Sequence, residues 1–349
     1  MKKKVLLGMS GGIDSSVAAM LLQDEGFEVI GITFLFSEDK KSNTEITNAA
    51  KTLAEKLKIK HIVADFQTEF RDKIISYFIK EYQNGRTPFP CAVCNPTMKF
   101  YYLEKFAEKE NCDFIATGHY VQIKNYRDTN YIYEGVDKEK DQSFFLWGLN
   151  KNLLQKLKFP LGRYSKTEIR EIAKKRGFVK LSEKKDSLGI CFIEGNDYRK
   201  FLQKEGIISV PGNFVNEKGD ILGKHNGIIN YTIGQRHGLG INLNFPVFVS
   251  EIRLDQNEIV LGKYEELYRS KIILNNFQYV DIEEIKYENT YAVKVRYRLQ
   301  LTPCKINILN DQRAEVELLN SEAMIANGQT AVFYDGDRVV GGGFIESSE

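Results

Sequence analysis

Two sets of residues in this chain have the types and spacing to do chemistry. The first is Ser10-Gly11-Gly12-Ile13-Asp14-Ser15-Ser16, directly after the apolar run Val5-Leu6-Leu7-Gly8-Met9. Adjacent glycines let a backbone curl and bring its N–H groups against an anion. A helix beginning near Ser15 adds the positive end of its dipole, and the serines add hydroxyl donors. The segment reads as a phosphate cradle. It is not a P-loop, because no Gly-Lys-Ser/Thr follows and the lysine that reaches the β- and γ-phosphates is missing. The second set is thiols. Cys91 and Cys94 follow Gly85-Arg86-Thr87-Pro88-Phe89-Pro90, and Cys191 stands in Lys185-Asp186-Ser187-Leu188-Gly189-Ile190-Cys191-Phe192-Ile193. A lone CxxC has three readings: half a zinc site, a redox pair, or a pair with one catalytic thiol. Structural zinc is disfavoured, since the sequence has no second CxxC and no HxxxH. Cys112 and Cys304 read as small buried hydrophobes.

Strand–helix alternation must position these groups. Residues 27–34, 61–66 and 112–119 read as strands. Ile46, Ala50, Leu53 and Leu57, and then Phe70, Ile74, Phe78 and Tyr82, fall at helical spacing. Such alternation predicts a parallel sheet covered on both faces, with ligands beyond the carboxyl ends of its strands, where loops 10–16 and 117–120 should meet. Ser165-Lys166-Thr167-Glu168 is a capping box, and Gly177 sits where its helix should stop. Past residue 205 short alternating runs dominate. Residues 331–334 turn at Asp335-Gly336 into 338–340, which is hairpin chemistry. The predicted organisation is an α/β domain over 1–204, a small mostly β domain over 205–270 and a β-barrel-like domain over 271–349.

Composition narrows the class. Of 349 residues, 42% are hydrophobic and 28% charged, and the net charge is +2, so any nucleic-acid contact must use local basic patches. No apolar run reaches the roughly 20 residues a membrane helix needs. The first residues lack a signal-peptide pattern, and five cysteines in so long a chain do not suggest a secreted disulfide scaffold. A cytoplasmic protein is expected.

The glycine loop resembles the pyrophosphate loop of the N-type ATP pyrophosphatases. These split ATP between its α- and β-phosphates and adenylate a substrate oxygen. Further blocks, GRTPFPCAVCNPTMKF (85–100), ATGHY (116–120) and KKDSLGICFI (184–193), resemble the bacterial tRNA-specific 2-thiouridylase family. So do residues 141–146, 159–162 and 231–236 and the glycines 341–343, and the likeness spans nearly the whole chain. It implies a Rossmann-like, adenine nucleotide alpha hydrolase-like first domain. The implied reaction is ATP-dependent replacement of the uracil C2 oxygen by sulfur at the wobble uridine of tRNA, with tRNA-Lys, tRNA-Glu and tRNA-Gln as the family's substrates.

By resemblance, ATP contacts fall on Gly8, Met9, Ser10, Gly11, Gly12, Ile13, Asp14 and Ser15, with Phe34 against the adenine, Gly118 near the nucleotide, and Asp14 toward Mg²⁺. Cys191 would accept a persulfide from a sulfur donor such as a cysteine desulfurase or sulfur-relay protein. Cys94 would attack it or assist transfer, leaving a transient Cys94–Cys191 disulfide. Both must act as thiolates, so their pKa values are expected to be lowered, with Lys99 and Lys185 as nearby cations. Phe89, Pro90 and Cys91 carry over as base contacts, His119 as a tRNA contact, and Lys140, Asp141 and Gln142 as a tRNA-contacting loop. Arg296, Tyr297 and Gln329 carry over from the last domain, where alternating strand positions would suit phosphate contact and stacking; a solvated sheet face is the alternative. Many relatives have Asn where Phe89 stands, so stacking replaces a polar contact there. Cys91 also departs from the pattern. With Cys94 and Cys191 it offers three ligands to an iron–sulfur cluster, an alternative left open. Another pyrophosphate-loop enzyme, tRNA-modifying or amide-forming, is the competing reading.

Overall fold

The computed structural model describes residues 2–183 and 189–349. Its first strand, β1 (Lys4–Gly8), is apolar throughout and splits its side chains between two cores. Val5 and Leu7 join Met9 and the buried face of α1 (Ile13–Asp24) and α2 (Lys40–Leu57). Leu6 points the other way, toward Phe100, Leu103 and Trp147. Around it stand β2 (Glu28–Leu35), β3 (Lys60–Asp65) and β4 (Phe114–Ala116). The chain then leaves the sheet for a hairpin, β5 (Val121–Tyr126) and β6 (Thr129–Glu134), and returns as β7 (Leu157–Lys158). The order β3-β2-β1-β4-β7, all parallel, matches the expected doubly covered sheet. Strand order reverses between β1 and β4, which puts the ligand crevice of such a sheet at the loops after these two strands. β4 is shorter than its apolar run predicts, because residues 117–120 turn off toward the glycine loop.

The second sheet is small: β8 (Gly212–Val215), β9 (Ile221–His225), β10 (Phe248–Arg253) and β11 (Glu258–Gly262), in the order β10-β11-β8-β9. Phe214, Val249, Ile259 and Leu261 give it a core of its own. The third is β12 (Arg269–Tyr279), β13 (Tyr291–Lys294), β14 (Thr302–Asn310), β15 (Arg313–Glu322), β16 (Thr330–Asp335) and β17 (Arg338–Ser348). It closes because β17 pairs with both β16 and β12, leaving no free edge in a six-stranded barrel. The predicted turn at Asp335-Gly336 is present, with Gly336 at φ +60°.

Sequence alone does not reveal how firmly the first and last parts are joined. β6 pairs with β17 through Tyr133 and Arg338, so the hairpin extends the barrel sheet. Behind it, Val280, Val332, Tyr334 and Val339 of the barrel share one core with Leu6, Ile115, Phe100 and Trp147. Gly342 is the tightest point of that seam. A Cβ there would lie 2.6 Å from the Trp147 ring and 2.9 Å from the Ala331 carbonyl oxygen. No helix among the described residues is long and apolar enough to cross a membrane. Overpacking of this kind costs about 1–3 kcal/mol, so Gly342→Ala should lower unfolding free energy by that amount in urea denaturation.

Candidate active site

The phosphate cradle is built by the glycines. Gly11 adopts φ +67°, and a Cβ on it would sit 2.7 Å from the Ala49 Cβ of α2, so this turn admits no side chain. Gly12 is the extended N-cap of α1 and brings no capping side chain, which leaves the first-turn N–H groups available to an anion. The hydroxyls shape the loop itself. Ser10 N–H donates to Ser15 Oγ (3.2 Å), and the Ser15 and Ser16 hydroxyls donate to the Gly12 carbonyl (3.2 and 2.6 Å). The loop after β4 closes on it as expected: a Cβ on Gly118 would lie 2.9 Å from the Asp14 carbonyl carbon and 3.0 Å from Ser15 N. Phe34, at the carboxyl end of β2, stands in an aromatic group with Phe36, Phe66, Tyr102 and Phe106.

Asp14 is held by two groups that the sequence reading missed. Tyr120 Oη donates to its Oδ1 (2.6 Å), and Lys166 Nζ donates to Oδ1 and Oδ2 (2.7 and 2.9 Å). One signal was available for Lys166: a lysine in the first turn of a capped helix stands where the dipole disfavours a cation.

The thiols occupy a shorter helix than a CxxC loop suggests. Pro90 opens the helix Pro90–Cys94, a first-turn position suited to proline. Pro96 then lacks the N–H that α-helical bonding requires, and the backbone widens into a π-helical turn over Asn95–Lys99. Asn95 ties the turn down, its amide donating to the Phe145 carbonyl (2.8 Å). Cys191 lies on a tight turn closed by Ile193 N–H to the Ile190 carbonyl (3.0 Å). Phe192 anchors that turn among Phe70, Phe78 and Phe201, in a cluster that Cys94 also lines. The turn brings Cys191 within electrostatic reach of Cys91 and Cys94, and the Lys99 ammonium acts on all three. Lys185, the other expected cation, lies outside the described residues with the rest of 184–188.

The electrostatic expectation is corrected. Burial pushes the Cys94 thiol up to about 12 and raises that of Cys91; Lys99 counteracts both only in part. Cys191 is exposed as a residue, yet the protein packed around its sulfur pushes its thiol up to about 11. All five cysteines are free, so the expected Cys94–Cys191 disulfide is not formed in this state. Among the described residues no three His, Cys, Asp or Glu side chains are grouped to hold a metal ion. The three thiols therefore do not fit the iron–sulfur ligand set.

The residues expected to meet tRNA divide into three groups. Lys140, Asp141 and Tyr297 come together, lining with Lys138, Phe144, Lys294 and Arg298 a cavity of about 440 Å³ between the first part and the barrel. Asp141 is buried and turned inward, accepting from Gly135 N–H (2.9 Å) and the Ser143 hydroxyl (2.6 Å). Gln142 Oε1 accepts from Tyr120 N–H (3.0 Å). Arg296 and Tyr297 are not in a strand: β13 ends at Lys294, and both lie in the following turn. Phe89 packs on Phe144 and Phe145, and Phe145 on Tyr297, so the thiol helix and the cavity share an aromatic wall. Gln329 reaches instead to the loop before the thiols, donating to the Thr87 and Pro88 carbonyls (3.0 and 3.2 Å). His119 hydrogen-bonds Thr117 (2.6 Å) and stacks on Phe100; burial, then the Lys99 charge, holds its pKa well below the usual value.

A glycine loop at the switch point of a parallel sheet defines a domain of the HUP class. Residues 3–195 match the family described as tRNA methyl transferase HUP domain, 199–263 its PRC-barrel domain, and 269–345 the aminomethyltransferase beta-barrel domain. The chain belongs to the tRNA-specific 2-thiouridylase family. It is 46% identical over 345 residues to tRNA-specific 2-thiouridylase MnmA 2 of Phocaeicola vulgatus, covering 98% of this chain and 97% of that one. It is 43% identical over 364 residues to the MnmA of Cytophaga hutchinsonii, covering 99% and 98%. A solved NMN synthetase from Francisella tularensis bears a distant likeness, with 19% identity over 53% of this chain and 67% of that one and a TM-score of 0.34.

Two outcomes follow from this geometry. Gly118→Ala should weaken ATP binding in calorimetry by at least about tenfold, because the new methyl group displaces the backbone of Asp14 and Ser15. Iodoacetamide should label Cys94 and Cys191 slowly at pH 7.5 and about tenfold faster per pH unit up to pH 10, since only the thiolate reacts. A plateau near pH 8 would contradict the raised values.

Proposed function

We propose that the chain is an ATP-dependent tRNA-uridine 2-sulfurtransferase acting at the wobble position. The observation that carries the reading is the convergence of Cys94 and Cys191 around Lys99, beside a pyrophosphate-type loop. The two are linked through Lys99, which acts on both thiols and on His119, and through Gly118, next to His119, which packs on Asp14 and Ser15.

In this reading the loop N–H groups and the α1 N-terminus hold the β- and γ-phosphates of ATP while the uracil C2 oxygen attacks the α-phosphorus. Pyrophosphate leaves, and a poor leaving group becomes AMP. Magnesium fits the site, since it needs only one or two carboxylates besides phosphate oxygens, and Asp14 stands at the loop; it would neutralise charge on the departing pyrophosphate. Cys191 receives a sulfane sulfur from a cysteine desulfurase or a sulfur-relay protein. The Cys94 thiolate attacks the Cys191 sulfur and releases hydrosulfide, which displaces AMP from C2. A Cys94–Cys191 disulfide forms as the sulfane sulfur takes two electrons from the thiols, and an external dithiol restores them. Burial keeps both thiols protonated at rest, so the Cys94 proton must leave as its sulfur attacks, and the departing hydrosulfide can take it up.

The cavity lined by Lys138, Lys140, Lys294, Arg298 and Tyr297, with Glu139 and Asp141 among them, supports tRNA as the substrate: it offers cations, of which Lys138 and Lys294 also hold Glu134, and a ring for stacking. Anticodons of tRNA-Lys, tRNA-Glu and tRNA-Gln are the proposed targets, in the cytoplasm. Methyl transfer, the word in the matched family's description, would need neither a pyrophosphate loop nor paired thiols. Amide-forming relatives of the loop would not need the thiols either. Cys94→Ser and Cys191→Ser decide between these readings. With unmodified tRNA, ATP and a persulfide donor, each should lose at least about a thousandfold in single-turnover thiolation while retaining ATP binding. Full thiolation by either variant would sink the persulfide route.

A further inference from the structure

The glycine loop has no lysine of its own, and a triphosphate held by backbone N–H groups alone meets only partial charges. We propose that Lys166 is the missing phosphate-binding cation, supplied through space and held on Asp14 in the nucleotide-free protein. This rests on the adenylation reading above and adds a residue to it. Lys166 Nζ lies 2.7 and 2.9 Å from the two carboxylate oxygens of Asp14, which itself occupies the first turn of α1. The ammonium is thereby fixed beside the same helix end that forms the cradle.

Its setting is costly in a way that a structural ion pair does not require. The side chain is only 10% exposed, so the ammonium has given up most of its water. Lys166 is also the first residue of the helix Lys166–Lys175, the end where the dipole repels a cation. Asp137 accepts the Lys166 backbone N–H (2.9 Å), Glu168 accepts from Ser165 in the capping box, and the Tyr120 ring lies 5.5 Å from the ammonium. The α1 N-terminus and the Lys166 ammonium thus meet at the Asp14 carboxylate, beside the loop whose N–H groups would face an anion. A magnesium-bound triphosphate would compete for both members of the pair, the metal for Asp14 and the phosphate oxygens for Lys166.

The test is calorimetric, on the full-length chain without tRNA, with ATP, pyrophosphate and AMP as probes. Lys166→Met should weaken ATP and pyrophosphate on the order of ten- to hundredfold, the range of one charge-assisted hydrogen bond. AMP, which lacks the β- and γ-phosphates, should change by less than about twofold, a selectivity that a mere prop between helices would not produce. Lys166→Arg should restore most of the ATP affinity. Unchanged ATP affinity, or equal weakening of ATP and AMP, would overturn the assignment. Should circular dichroism show that the methionine variant does not fold, Lys166→Gln carries the same comparison. Wild-type protein that binds ATP no better than AMP would instead defeat the adenylation reading itself.

Discussion

The contact on which this structure turns is the one between Gly118 and the backbone of Asp14 and Ser15. Two loops from neighbouring strands approach there so closely that no side chain fits between them. The approach follows from the reversal of strand order between β1 and β4 and from the shortness of β4. It places His119 and Tyr120 directly after the contact. Tyr120 then ties Asp14 to Gln142, and His119 shares the field of Lys99 with the thiols. Glycine loop, thiols and cavity are thus separate elements joined by one crowded turn.

A second joint lies just before the thiols. Residues 85–90 are clasped by all three parts of the chain. Gly85 abuts Ile252 and Ile228, Thr87 Oγ1 meets Thr232 Oγ1 (3.3 Å), and Asn327 and Gln329 of the barrel bind Thr87 and Pro88. The helix that carries Cys91 and Cys94 is therefore positioned from outside its own domain. Burial at this joint also explains why its sulfurs are held as thiols, since desolvation there outweighs the single ammonium of Lys99.

What could be read from the sequence was what is local. The glycine loop, the Ser165–Glu168 box and the Asp335-Gly336 turn each have their cause within a few residues, and each stands where its pattern predicts. Cys94 and Cys191 stand far apart in the sequence, and only the fold brings them within electrostatic reach of each other. The direction of their pKa shifts was not legible, because burial is a tertiary property that a neighbouring lysine in the sequence does not reveal. Arg296 and Tyr297 look like strand residues by alternation, yet the ladder to β16 stops at Lys294. Lys166 and Gln329 act on partners far along the chain, at Asp14 and at Thr87 and Pro88.

The core shared between the first sheet and the barrel has a bearing on how the polypeptide is made. Trp147, Phe144, Tyr131 and Leu6 share one core with Val332, Tyr334 and Val339, and the edge of β6 away from β5 is met by β17. A ribosome delivers those strands after the first domain. Until they emerge, the nascent first domain carries an uncovered aromatic face and an unpaired hairpin edge. Long-range pairing of this kind is slow to form and prone to misassociation while it waits. Between translation of the glycine loop and that of β17, this face is open to misassociation.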